Sequence, residues 1–200
     1  NVNLNVQIVH VKKKIYEKGK CFPLLTERLK IELVNYANAK TIISWVNSTA
    51  TKKFSFFREK VTIKKELAYI KRMRESSTDI LMLIVDVSSN KAIGAIGLHE
   101  IDRFNNNARL GIIIGNTNFQ NKGCGKEAIN IVLKLAFEKL KLHQVYLHVF
   151  KGNNRSIGIY SKLGFHLGGD LPERYKLNNK YMTLQVMYLL KKHWHPKENF

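Results

Sequence analysis

Gln120-Asn121-Lys122-Gly123-Cys124-Gly125-Lys126 is the stretch on which the reading of this chain turns. Just upstream, Arg109 to Ile114 ends in three successive isoleucines, the pattern of a strand buried on both faces. Downstream, Ala128, Ile131, Val132, Leu135, Ala136 and Leu140 form one apolar stripe of a helix spanning Gly125 to Leu140. Gly123 and Gly125 let the backbone turn tightly and approach a ligand closely. The first N–H groups of the helix have no intrahelical partner and point outward as donors. With the helix dipole they suit phosphate oxygens, and Lys122 and Lys126 add positive charge beside them. The Gly-Lys-Ser/Thr ending of a P-loop is absent, and so is the third glycine of a dinucleotide fingerprint.

Working outward, Arg28 to Val34 alternates Leu29, Ile31 and Leu33 with charged positions, as a half-buried strand does. A helix over about Ala37–Val46 follows. A second, over Thr62–Glu75, places Ile63, Leu67, Ile70 and Met73 on one face, with Thr62 as its cap. A meander comes next: strands at Ile80–Val87, Ala92–Ile101 and Arg109–Ile114, with turns at Ser88-Ser89-Asn90 and Asn105-Asn106-Asn107. Beyond the glycine loop and its helix lie a strand at Val145–Phe150 and a short helix at Ser156–Leu163 ending on Gly164. Two apolar segments close the chain, Phe165–Leu167 and Tyr181–Leu190, with Asn178-Asn179 turning between them. The order β-α-α-β-β-β-α-β-α-β-β predicts an α/β fold with a mixed sheet in one compact unit. Residues 1–22 read as an N-terminal extension with a strand near Val6 and Ile8. Residues 23–192 form the domain, and 193–200 a tail.

The 200 residues, 44% of them apolar, suffice for a real core. No apolar run approaches the ~20 residues of a membrane span, and the N-terminus shows no secretory stretch, so a cytoplasmic protein without a membrane partner is expected. The two cysteines, Cys21 and Cys124, make neither a disulfide framework nor a zinc site. His193 and His195 flank Trp194 and read as a solvated tail, and no metal is expected. The formal charge of +19 admits a nucleic-acid partner, a phosphate-bearing ligand or codon usage rich in Lys, Asn and Ile. Apart from Lys12–Lys14 the lysines are scattered, without interleaved aromatic stacking platforms, which weighs against direct nucleic-acid binding.

Gln120-x-x-Gly123-x-Gly125 resembles the Gln/Arg-x-x-Gly-x-Gly/Ala motif of the GNAT N-acetyltransferase superfamily. Asn153 to Phe165 is similar to that family's Asn-x-x-Ser/Ala-x-x-x-Tyr-x-x-x-Gly-Phe segment. Leu25-Thr26-Glu27-Arg28-Leu29 and Leu142 to Leu147 resemble its RimJ/RimL-like subgroup. The resemblance covers residues 24–191, and the element order agrees with the GNAT acyl-CoA N-acyltransferase fold. It implies acetyl-CoA as co-substrate, with residues 120–126 (Gln120, Asn121, Lys122, Gly123, Cys124, Gly125, Lys126) around the pyrophosphate. The pantetheine arm would then run along Ile112, Ile113 and Ile114, whose backbone N–H groups can stabilise an oxyanion. The resemblance also implies that Ser156, Tyr160 and Lys162 contact the coenzyme, and Asn153 either contacts the arm or caps the helix at Ser156. Tyr160 corresponds to the family's general acid. Glu100 is the expected general base, and strand alternation would put it and His99 on opposite faces. Trp45, Asn47, Phe54 and His99 are expected around the acceptor. Cys124 reads as incidental, because direct transfer from thioester to amine needs no covalent intermediate.

The resemblance leaves the acceptor open. A highly basic protein repels a polycation at long range, although screening beyond ~8 Å and a local acidic patch can reverse this. An amino sugar nucleotide, carrying a diphosphate, would be attracted, and a ribosomal-protein N-terminus beside RNA suits the charge as well. A non-catalytic acyl-CoA-binding module is the alternative of another class, and the intact Tyr160 argues against it. A homodimer is allowed.

Overall fold

The computed structural model describes residues 24–52, 59–177 and 179–196. The expected N-terminal extension, Cys21, Phe54 and Asn178 lie outside them.

The meander is formed by β2 (Ile80–Asp86), β3 (Lys91–Asp102) and β4 (Asn107–Ile114), each antiparallel to the next. β1 (Leu29–Leu33) adds antiparallel to β2. β5 (Gln144–Phe150) lies parallel to β4, as a helical crossover requires. β7 (Lys180–Leu190) pairs antiparallel with β5, and β6 (His166–Leu177) with β7. The sheet therefore has seven strands in the order β1-β2-β3-β4-β5-β7-β6, the mixed α/β arrangement expected from the sequence. β6 runs far beyond Phe165–Leu167. Its apolar alternation is interrupted where the register shifts at Leu167/Gly169 and Leu171/Tyr175, so periodicity alone stops too early.

A 3₁₀ turn at Tyr36–Asn38 leads into α1 (Ala39–Val46), followed by the short α2 (Thr49–Lys52) and then α3 (Ile63–Glu75). Thr62 caps α3 by accepting from the Lys65 N–H at 3.3 Å. α4 (Cys124–Lys134) passes into a wider π turn at Leu135–Lys139, where the Leu140 N–H donates to Leu135 O. The apolar stripe continues through that turn. α5 (Asn154–Lys162) follows β5.

Alternation along the strands gives the sheet two apolar faces. One carries Ile84, Ile96, Leu98, Leu110, Val145 and Leu147 beneath the apolar stripe of α4, with Ile157 and Tyr160 of α5 packed against it. The other carries Leu83 and Val85 beneath Ile42, Trp45 and Val46 of α1 and Ile70 of α3. Ile112, Ile113 and Ile114 were expected to be buried on both faces but are only half-buried. β4 pairs with β5 at Asn107, Ala108 and Arg109 alone, so its far half lacks a neighbour on one side.

Trp45, expected at the acceptor pocket, is buried and closes on the backbone of Gly115, so its role is packing. A Cβ at position 115 would lie 2.0 Å from Trp45 Cγ. Gly115→Ala should therefore destabilise the fold by about 1–3 kcal/mol through overpacking, read as a lowered midpoint in thermal or urea unfolding.

Candidate active site

The site begins where β4 and β5 part. Their register runs Asn107 to Gln144, Ala108 to Val145 and Arg109 to Tyr146, and no further. On the opposite side β4 stays paired with β3 through Ile114. The Gly115 N–H donates to Ile93 O at 3.0 Å. Alternation from there turns the main-chain groups of Gly111 and Ile113 toward β3, and those of Leu110, Ile112 and Ile114 toward the gap. Gln120 Nε2 donates to Ile114 O at 2.9 Å from the gap side. Ile112 and Ile114 can thus pair with a strand-like ligand arm. Ile113 cannot: its main chain faces β3 and its side chain packs beneath α1 and α3.

The glycine loop closes one end of this gap. Gly123 is the N-cap of α4 at φ 82°, left-handed, and no side chain caps the helix. A residue with a Cβ is strained in that conformation. The start of α4 therefore lacks a side-chain cap, as a helix end suited to an anionic ligand does. Asn121 is also left-handed, at φ 64°. The Gln120 side chain, bonded to Ile114, ties the loop to the strand. Lys122 places its ammonium 6.0 Å from the Phe119 ring centroid, and Lys126 lies in the first turn of the helix. Gly125 would tolerate a Cβ at ordinary contact distance, 3.6 Å from Ile114 Cγ1. Burial pushes the Cys124 thiol up, so it stays protonated and a weak nucleophile at neutral pH.

On the α5 side, Asn153 caps the helix, its Oδ1 accepting from the Ser156 N–H at 3.3 Å. Lys162 lies exposed in the last turn. The Tyr160 ring packs on the core, 5.9 Å from the Phe165 ring. Among the described residues its hydroxyl has no hydrogen-bond partner, and burial pushes its pKa up to about 12, so it carries its proton at neutral pH.

On the other face an open cleft of about 970 Å³ lies between the C-terminal half of α3 and the β3–β4 pair. Tyr69, Arg72 and Glu75 line it from α3, and Asp79, His99, Glu100 and Arg109 from the sheet side. The expected separation of His99 and Glu100 onto opposite faces does not occur. The register shifts between His99 and Asp102, and Glu100 takes a left-handed φ of 53°, so both side chains line the same cleft. Glu100 is heavily committed there. Arg109 Nη2 donates to its Oε1 at 2.7 Å, and the Tyr146 hydroxyl donates to its Oε2 at 3.1 Å. The Arg109 guanidinium holds this carboxyl below the usual range, which makes it a poor proton acceptor. Asn47 is likewise committed: its amide donates to Val61 O and accepts from Val61 N–H, both at 2.8 Å, pinning the approach to α3. It does not line the cleft.

A family profile described as an acetyltransferase (GNAT) domain matches residues 28–166. The chain belongs to the GNAT acetyltransferase family. Similar proteins include the spermidine N(1)-acetyltransferase of Vibrio cholerae, 34% identical over 107 residues, which is 54% of this chain and 61% of that protein. The putative ribosomal N-acetyltransferase YdaF of Bacillus subtilis is 31% identical over 101 residues, 50% of this chain and 55% of that protein. The chain thus spans little more than half the length of these relatives. The crystal structure of spermidine N-acetyltransferase from Vibrio cholerae in complex with CoA and spermine superposes with a TM-score of 0.78 at 24% identity, covering 84% of this chain and 98% of that one. Among the described residues no helix is long and apolar enough to cross a membrane, and no metal-binding cluster occurs.

One contact of this GNAT domain could not be read from spacing. Glu127, buried in the first turn of α4, accepts from the Thr26 hydroxyl and from Arg28 Nη2, and from Arg28 Nε at 2.9 Å. Arg28 Nη1 also donates to Lys122 O at 3.2 Å, joining the β1 end to the glycine loop. A carboxylate at a helix N-terminus competes with an anionic ligand for the same dipole, and Arg28 offsets that charge. The motif residues Thr26 and Arg28 were visible in the sequence, but their partner lies about a hundred positions away. Arg28→Met should cost about 2 kcal/mol, less than a fully buried pair because Arg28 is half-exposed, and should weaken coenzyme A binding measured by calorimetry.

Proposed function

We propose that this chain is an acetyl-CoA-dependent N-acetyltransferase acting on the primary amine of a small aliphatic acceptor, with polyamines the first candidates. The gap between β4 and β5 carries the reading, because it opens just past Arg109, which lines the cleft on the α3 face, and runs along β4 toward the glycine loop. The first-turn N–H groups of α4 bind the pyrophosphate. The pantetheine arm pairs with Ile112 and Ile114 in place of the missing strand neighbour. A gap-facing N–H then polarises the thioester carbonyl and stabilises the oxyanion as the amine attacks. Tyr160, on the α5 side, donates its hydroxyl hydrogen to the departing sulfur. A free thiol titrates near ~8.5, well below this phenol, but the dry site that raises the phenol raises the thiolate as well and narrows the mismatch.

Two observations support a small amine. The relatives include spermidine N-acetyltransferases, and in the cleft Glu75, Asp79 and Glu100 offset Lys71, Arg72 and Arg109, so the cleft is near neutral on a chain of net charge +19. Screening beyond ~8 Å lets local groups outweigh the distant lysines. The global repulsion of a polycation therefore counts for less than the sequence suggests, and the case for an amino sugar nucleotide weakens with it. The openness of the cleft and the ribosomal relative favour a second reading, acetylation of a protein N-terminus.

Free-thiol release from acetyl-CoA with spermidine, an amino sugar nucleotide and N-terminal peptides tests the assignment. Turnover should be highest with spermidine. A peptide preference selects the second reading, and no turnover with any amine rejects catalysis. Tyr160→Phe should lower kcat by about 100-fold or more with acetyl-CoA affinity unchanged, and an unaltered kcat removes Tyr160 from the mechanism.

A further inference from the structure

The acetyltransferase reading needs a group that takes the proton of the attacking amine, and Glu100, held by Arg109 and Tyr146, is poorly suited to it. A second candidate stands beside it. His99 Nδ1 lies 3.1 Å from Asp79 Oδ1. The other oxygen of Asp79 accepts from the Ser76 hydroxyl at 2.7 Å and from Thr78 at 3.1 Å. Asp79 is thus fixed at the end of α3 and can hold only one ring orientation of His99. A carboxylate on Nδ1 keeps the proton there and leaves Nε2 as a free acceptor.

The strands are built to receive that ring. Gly97 pairs with Gly111 across β3 and β4, and His99 with Arg109 in the next same-face position. A Cβ on Gly97 would lie 2.7 Å from His99 Nε2, and one on Gly111 3.4 Å from it. Two facing glycines therefore form a floor over which the imidazole lies, its Nε2 nearer Gly97 than Gly111. The next residue, Ile112, is the one whose main chain faces the gap. The ring lies in the cleft on the α3 face of the sheet, beside Arg109, where the β4–β5 pairing ends, whereas Tyr160 packs on the α4–α5 face. His148 of β5 has no comparable carboxylate hydrogen bond among the described residues.

Resting on the acetyltransferase reading, we propose that His99 is the general base of the reaction and that Asp79 is its positioning residue. The amine nitrogen attacks the thioester carbon, forming the C–N bond, and becomes acidic as positive charge develops on it. His99 Nε2 takes that proton. The tetrahedral intermediate collapses with cleavage of the C–S bond, and the sulfur receives the Tyr160 proton. Amide and free thiol leave an imidazolium and a phenolate, which solvent returns to their starting states. No oxidant or metal is required.

The electrostatic surroundings fit a base that is neutral at rest. Burial pushes the His99 pKa down, the Asp79 hydrogen bond opposes this in part, and the Arg109 charge adds to the lowering while Glu100 counters it. Tyr69, Lys71, Arg72 and Glu75 of α3 complete the charged and titratable groups around the cleft. Burial pushes Asp79 up, but its hydrogen bonds from Ser76, His99 and Thr78 outweigh this and keep it ionised. Turnover should then fall on acidification, with an inflection below the ordinary imidazole value of ~6.5.

The test is the pH dependence of kcat for wild type, H99Q, H99A and D79N with saturating acetyl-CoA and a primary amine that the wild type acetylates. H99Q should lose about 100-fold or more in kcat and lose the acid-side inflection, with acetyl-CoA affinity within about twofold. H99A should regain turnover with added imidazole, which separates loss of the base from loss of the fold. D79N should keep an inflection, moved to lower pH, because removing the carboxylate removes what raises the ring's pKa. A wild-type-like kcat and pH profile in H99Q, or no rescue of folded H99A, overturns the assignment and leaves the acetyltransferase reading standing. A wild type that binds acetyl-CoA and acetylates no amine removes both.

Discussion

The rest of the structure depends on one unmade set of hydrogen bonds. β4 and β5 pair as parallel neighbours for three residues and then part, leaving the Ile112 main chain and the Ile114 N–H aimed into a gap, with the Ile114 carbonyl held by Gln120. Backbone polar groups left unpaired away from water are costly, so an arrangement of this kind persists where something else completes the ladder. An extended amide-bearing arm can do so, and the loop at the end of β4 supplies the anchor for its phosphates. On the proposed function, binding and catalysis use the same feature, because the donors that would align the arm also face the carbonyl that must be polarised.

This constraint explains the division of labour between the two faces. The α4–α5 face carries the phosphate loop and Tyr160, and the α1–α3 face carries the open cleft with its carboxylates, His99 and Arg109. On the proposed function, the gap is where a donor entering from one side meets an acceptor entering from the other. Charge follows the same plan. Arg28 offsets Glu127 beside the glycine loop, and Arg109 is matched to Glu100 in the cleft, so each of these carboxylates is paired locally within a chain of net charge +19.

What could be read from the sequence was what is local. The glycine loop, the helix stripe of α4, the cap at Thr62 and the element order depend on spacing within a few residues, and each appears in the structure. The failures share a long-range cause. Three isoleucines looked buried on both faces because periodicity does not show that β5 turns away after Tyr146. His99 and Glu100 looked opposed because nothing in their side chains announces a left-handed φ at Glu100. Trp45 and Asn47 looked like pocket residues until their partners, Gly115 and Val61, were in place. Glu127 is a helix-surface residue by sequence and becomes buried only when Arg28 and Thr26 arrive from the β1 end.

On the proposed function, the coenzyme completes the gap-facing main chain of β4. Residue-resolved amide hydrogen exchange, with and without saturating coenzyme A, tests it most directly. The amides of Ile112 and Ile114 should exchange faster than that of Ile113 in the free protein and become strongly protected on binding, while Ile113, already paired with β3, changes little. Equal protection of all three residues in the free protein, or coenzyme A binding that leaves Ile112 and Ile114 unprotected, would contradict the account.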